Sequence, residues 1–161
     1  MTADSSRIET ADHQPAPVHS VASRSGGRVR MYSLSELSEV DIGLWRSLET
    51  RALEPNIFLT YDFVFALQKH SMRDQQVLLM VVESVSSSTR EFTAVMPVIR
   101  SALSRWLRLP AILSIDSKYS FLGGMLLDRT HAREAADAIF AALREHRWRY
   151  FGLRVRKIPY S

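Results

Sequence analysis

The chain has 161 residues, 46% of them hydrophobic, no cysteine and a formal net charge of +4. That size supports one domain with its own core, and the missing cysteines exclude a disulfide scaffold and thiolate metal sites. They also fit a reducing compartment, so a cytoplasmic protein is expected.

The isoelectric point near 9.8 comes from arginines scattered along the chain. That pattern reads as solubilising charge, because a nucleic-acid partner would call for a clustered stripe. The longest purely apolar run, Val77 to Val82, is too short to span a bilayer, so no transmembrane segment is expected. The first residues include Asp4, Glu9 and Asp12 and lack an apolar h-region, which argues against a secretory signal or a transit peptide.

Residues 1–27 are rich in Ser, Ala, Pro, Asp and His with almost no large apolar side chains, and are predicted to be a disordered tail hinged at Gly26-Gly27. Arg28 to Ser33 alternates Val29 and Met31 with Arg28 and Arg30, the pattern of a first strand. Ser38 and Asp41 form a capping box that opens a helix with Leu37, Val40, Leu44 and Leu48 on its apolar side and Trp45 flanking it. Leu53-Glu54-Pro55-Asn56 ends that helix. Thr60 caps a second helix to about Ser71 that buries Phe63, Val64 and Leu67, and Phe58 and Phe63 bracket the cap as a hydrophobic staple.

Gln76 to Glu83 and Phe92 to Ile99 are β-branched and almost continuously apolar, as central strands covered on both faces are. The serine-rich Ser84 to Arg90 reads as their hairpin loop, and Pro97, which cannot donate to a ladder, predicts a bulge or an edge. Ser101 to Leu109, with Arg105, Trp106 and Arg108, reads as a loop anchored by its tryptophan, and Ala111 to Ile115 as a fourth short strand. Thr130 is the predicted cap of a helix whose stripe is Ala132, Ala135, Ala136, Ile139, Phe140 and Leu143. The last strand alternates Phe151, Leu153 and Val155 with Gly152, Arg154 and Arg156, and would leave an unpaired sheet edge. This order of elements predicts an α/β (α+β) three-layer sandwich with a mixed, mainly antiparallel sheet.

The chain contains no G-x-S-x-G, H-E-x-x-H, Walker loop or strand-linked G-x-G-x-x-G. His70, His131 and His146 are not spaced as metal ligands and read as surface or helix-end residues, so no metal is expected. Asp116 and Tyr119 fall in a loop between strand and helix, a usual location for site residues, without a partner base or nucleophile nearby. Gly123-Gly124 could admit a phosphate to backbone amides near a helix, although five residues separate the pair from Thr130; two glycines in a turn are the alternative.

Several strings in this order resemble the GNAT N-acetyltransferase superfamily, more closely the CelD-like, cellulose-biosynthesis-type acetyltransferases related to the FemAB-like acyltransferases. They are Trp45 and Leu48; Glu54-Pro55-Asn56-Ile57-Phe58-Leu59-Thr60; Ala94-Val95-Met96-Pro97-Val98; Tyr119-Ser120-Phe121-Leu122-Gly123; Leu126-Leu127-Asp128-Arg129; and Lys157-Ile158-Pro159. The resemblance covers roughly Val29 to Pro159, and relatives often have Gly-Thr-Pro-Leu where this chain has Gly123-Gly124-Met125-Leu126. It implies a GNAT-like half-domain over 28–161, incomplete at its C-terminal sheet edge, in a protein that moves an acyl group from acyl-CoA (acetyl-CoA or another) to a small amine. It also implies a second GNAT-like half that carries the acyl-CoA-binding loop and the transfer site, so that this chain is not active alone. On this reading Asp116, Tyr119 and Phe121 line a substrate pocket, Gly123 and Gly124 are the candidates for cofactor contact, and no catalytic residue is assigned. A non-catalytic binding or dimerisation module that uses the open sheet edge, a homodimer included, is the alternative.

Overall fold

Val77 to Val82 is apolar at every position because the strand it forms is covered on both sides. The computed structural model describes residues 19–22, 27–86, 89–102, 110–115, 124–144 and 153–154. Its strands are β1 (His19–Ala22), β2 (Gly27–Ser33), β3 (Val77–Ser86), β4 (Thr89–Ala102), β5 (Pro110–Ser114), β6 (Leu126–Leu127) and β7 (Leu153–Arg154). They stand in the order β1-β2-β3-β4-β5-β7, with β6 also paired to β4. All pairs are antiparallel except β5 with β7, which is parallel.

Helices α1 (Glu39–Thr50) and α2 (Tyr61–Ser71) cover one face of the sheet and α3 (Ala132–Arg144) covers the other. Leu79 and Val81 enter a core with Trp45, Leu48, Val64 and Leu67, whereas Leu78, Met80 and Val82 enter a second core with Val29, Met31, Ala135 and Ile139. The two-residue period of the strand thus feeds two cores at once. The result is an α+β architecture, and no helix of the described residues is long and apolar enough to cross a membrane.

The local signals at both caps of the first layer hold. Ser38 accepts from the Asp41 amide at 3.2 Å, and Asp41 accepts from the Ser38 amide at 3.1 Å. The Thr60 hydroxyl accepts from the Phe63 amide, and the Phe58 and Phe63 rings meet edge to face at 5.2 Å. The apolar face of α1, however, is rotated from the expected one. Asp41, Trp45 and Leu48 are buried and Val40 is 65% exposed. Trp45 takes the centre because its Nε1–H also reaches the Leu59 carbonyl at 3.1 Å, satisfying the one polar atom of a fully buried ring.

α3 differs in the same way. Its buried residues are Ala135, Ala138, Ile139 and Ala142, while Phe140 is 47% exposed. Three alanines in that row let the helix lie close to the sheet, and a phenylalanine there would not fit. Thr130 is exposed and does not cap α3; Asp128 Oδ1 instead accepts from the amides of Thr130 (2.8 Å) and His131 (3.2 Å).

Three boundaries also move. Ser84 to Arg90 is strand as far as the Ser86↔Thr89 pair, so only residues 87–88 separate β3 from β4. β1 falls inside the stretch predicted to be a tail, paired from His19↔Met31 to Ala22↔Arg28; backbone bonds to the free edge of β2 favour it where composition gives no sign. Gly27 belongs to β2 and is no hinge, and a Cβ there would lie 3.0 Å from Val82 Cγ1. Pro97 faces Leu79 in regular register. Its carbonyl accepts from Ile115 on the β5 side, so its nitrogen also points that way and the β3 ladder loses no donor. The residues of 151–156 other than β7 lie outside the described residues, as do 103–109.

Trp45→Phe keeps most of the apolar volume but strands the Leu59 carbonyl. It is expected to cost about 2 kcal/mol, seen as a lower urea midpoint with an unchanged m-value.

Candidate functional site

The outer edge of β4 carries two partners in succession. β6 lies opposite Ala94 and Val95, and β5 lies opposite Val98 onward. Met96 and Pro97 fall between them, and the Ile115 amide reaches the Pro97 carbonyl at 3.4 Å. Ile115 and Leu126 therefore sit over β4 positions two apart, roughly 7 Å along the strand. The segment between Ile115 and Leu126 therefore begins and ends close together on β4, and segments with closely spaced ends often carry function.

Around this notch, Met96, Val98, Ser114 and Ile115 are all buried. Gly124, at the return, has φ +115° with open space where a Cβ would stand, so backbone conformation selects glycine there. Of the residues predicted to line a site, Asp116, Tyr119, Phe121 and Gly123 lie outside the described residues, and Gly124 is the one the structure places. The notch is also the carboxyl end of β5, beside its parallel neighbour β7, where open sheets with crossover connections commonly bind ligands.

Behind the notch, β4 is shaped by one extra residue. Val82 pairs with Ala94 but Glu83 pairs with Phe92, which leaves Thr93 as a bulge. The Thr93 hydroxyl donates to the Val82 carbonyl at 3.3 Å, the Thr93 carbonyl accepts from the Asp128 amide at 2.9 Å, and the Phe92 carbonyl accepts from Arg51 Nη2 at 2.9 Å. Because faces alternate along a strand, the extra residue moves Phe92 and Arg90 to the face under α1 and α2. Phe92 joins that core.

Arg90 there meets a buried polar cluster. Its Nη2 lies 2.6 Å from Glu83 Oε1, 2.7 Å from Asp41 Oδ1 and 2.8 Å from the Tyr32 hydroxyl. Arg30 Nε approaches Glu83 Oε2 at 3.1 Å, and the Tyr32 hydroxyl donates to Glu83 Oε1. Two carboxylates face two guanidinium groups, so the buried charge is balanced. Burial, then the bond to Glu83, pushes the Tyr32 phenol up to about 12. Burial works against the Arg90 cation, but the bonds and charge of Glu83, with Tyr32 and Asp41, outweigh it and raise its pKa. Neither group gives up its proton at neutral pH. The cluster is a clamp joining α1 to β2, β3 and β4.

A second node ties α1 to the return of the loop. Arg51 donates from Nε to Asp128 Oδ2 at 2.5 Å and from Nη1 to Ser47 Oγ at 2.6 Å. The Leu53 amide bonds the Leu127 carbonyl and the Arg129 amide bonds the Arg51 carbonyl, so the end of α1 runs along β6. His131 Nδ1 stands 3.3 Å from Asp128 Oδ1 on a half-exposed side chain. Burial would raise the Asp128 pKa, but Arg51 and the amide and ring donors of Thr130 and His131 together hold it below the ordinary carboxylate value. His70 is exposed near the end of α2, and His146 lies outside the described residues. Among the described residues no group of His, Cys, Asp or Glu could hold a metal ion.

Sequence reasoning singled out Asp41 only as a cap, named Asp128 only within a string of the resemblance, and assigned nothing to Glu83, Arg90 or Arg51. The available signal was Glu83 itself, a carboxylate closing a run of six apolar residues. Comparison with protein-family models, curated proteins and solved structures gave no match.

A folded pKa below the unfolded one means that Asp128 stabilises the protein above the unfolded value of about 3.9 and loses that effect as pH falls through the folded value. Asp128→Asn is expected to cost about 2 kcal/mol at pH 7 in urea unfolding. The gap from the parent chain should narrow below about pH 4. Glu49, whose carboxyl burial lifts, titrates in both proteins and cancels in the difference.

Proposed function

We propose that this chain is the N-terminal part of a GNAT-type, CelD-like acyltransferase that moves an acyl group from acyl-CoA to an amine, completed by a second GNAT-like half. The observation that supports this most is the sequence of elements in space. A strand leads to two helices on one face, then to antiparallel β3, β4 and β5, then across the other face through α3 to β7, parallel to β5. Trp45 and Leu48 fall on α1, Ala94 to Val98 on β4 and Leu126-Leu127 on β6, while the Tyr119 and Lys157 strings lie outside the described residues.

In the reaction, the amine nitrogen forms a bond to the thioester carbonyl carbon and the carbon–sulfur bond breaks. CoA leaves as the thiolate, and the proton on the amine passes to a base or to solvent. The protein positions the two reactants and stabilises the oxyanion. The segment between Ile115 and Leu126 supplies part of that site, with Asp116, Tyr119 and Phe121 as the candidates for the substrate pocket and Gly123 and Gly124 as the candidates for donor contact. The second half supplies the main acyl-CoA contacts.

A second reading, a dimerisation module, is favoured by one observation. Among the described residues no strand pairs with the outer edge of β7, and such an edge recruits another strand.

Calorimetric titration of the chain with acetyl-CoA is expected to give a Kd of about 1 mM or weaker. A photoactivatable acyl-CoA is expected to label the stretch between Ile115 and Leu126, with protection by excess CoA. Micromolar binding would overturn the divided site, and labelling elsewhere or without protection would overturn the acyltransferase reading. A monomer by light scattering at high concentration removes the dimer.

A further inference from the structure

β2 ends at Ser33, opposite Leu78 near the start of β3, and the turn from α2 into β3 closes over that corner of the sheet. Gln68 makes the turn rigid. Its Nε2 donates to the carbonyls of Met72 (3.0 Å) and Gln75 (2.7 Å), and its Oε1 accepts from the Val77 amide (2.7 Å). Gln76 Nε2 donates to Ser33 Oγ at 3.2 Å, and Ser33 Oγ lies 2.8 Å from Ser35 Oγ. These groups frame a groove of about 340 Å³, within the size range of small-molecule sites.

Arg73 and Asp74 also line the groove. Arg73 spends its Nε–H on the Lys69 carbonyl at 3.0 Å, which fixes the guanidinium plane and leaves the terminal nitrogens. Among the described residues neither Arg73 nor Asp74 has an ion-pair partner. The groove therefore presents one cation and one anion side by side, with hydroxyl and amide groups next to them. A polyanion would be opposed by Asp74, and an apolar ligand would gain nothing from either charge.

We propose that this groove binds the zwitterion of an α-amino acid. The ligand carboxylate lies on the Arg73 fork, its ammonium group on Asp74, and its side chain toward Ser35 and Gln75. The proposal goes beyond the acyl-transfer reading and rests on no part of it.

The test is a 1H–15N NMR titration of the whole chain with L-alanine, L-serine and L-glutamine, without acyl-CoA, so that failure leaves the acyl-transfer reading untouched. Saturable shifts are expected at the amides of Ser35, Gln75 and Gln76. N-acetyl-L-alanine and L-alaninamide, each lacking one charge, should bind at least about tenfold more weakly than L-alanine. Arg73→Gln and Asp74→Asn should each lose about the same factor, with unchanged spectral dispersion showing that the fold is kept. If a variant unfolds, the comparison of analogues on the parent chain decides. Absence of saturation with all three amino acids up to about 10 mM, or N-acetyl-L-alanine binding as tightly as L-alanine, overturns the proposal.

Discussion

One extra residue in β4 governs how the two layers of this fold meet. Without the bulge at Thr93, the alternation of the strand would turn Phe92 and Arg90 toward α3, where Ala94 and Met96 already point. With it, Arg90 lies under α1 between Glu83, Asp41 and Tyr32. Burying two carboxylates is costly unless cations of matching geometry accompany them, and Arg30 and Arg90 supply those. The helix cap, the strand register and the buried charge are thus one arrangement. Asp41 serves the Ser38 cap with one oxygen and approaches Arg90 with the other.

The same bulge positions the candidate site. Its exposed carbonyls are taken by Arg51 from α1 and by the Asp128 amide from the end of β6. Asp128 then holds Arg51 with one carboxylate oxygen and the first amides before α3 with the other. β6 is only two residues long, yet it is held at a fixed height on β4, and the return of the loop at Gly124 to Leu126 is held with it. Hydrogen-bonded anchors at the end of a segment are what a positioned binding wall needs.

Much of this was legible from local rules. The double-sided strands, both caps of the first layer, the staple of Phe58 on Phe63 and the crossover through α3 follow from periodicity and capping chemistry. The two helix faces that differ share one cause. Val40 and Phe140 are apolar at spacings a buried face permits, but a helix has several such faces and tertiary contacts choose among them. Trp45 won on α1 because Leu59 offers its indole an acceptor, and the alanines won on α3 because the sheet lies close. A one-residue bulge leaves no periodic trace of its own, and Glu83 at the end of the apolar run of β3 was the one sign of the clamp. The site residues predicted from the loop rest on the resemblance; of them the structure places Gly124.

The central claim is that Glu83 of β3 and Arg90 of β4 meet across the bulge, which sets Arg90 beside Asp41 of α1. A double-mutant cycle with Glu83→Gln and Arg90→Met, read by urea unfolding at pH 7, tests it most directly. Each single change should cost about 3 kcal/mol, and the pair should cost about 2 kcal/mol less than their sum. Additivity within about 0.5 kcal/mol would mean that the two side chains do not interact and would contradict the clamp.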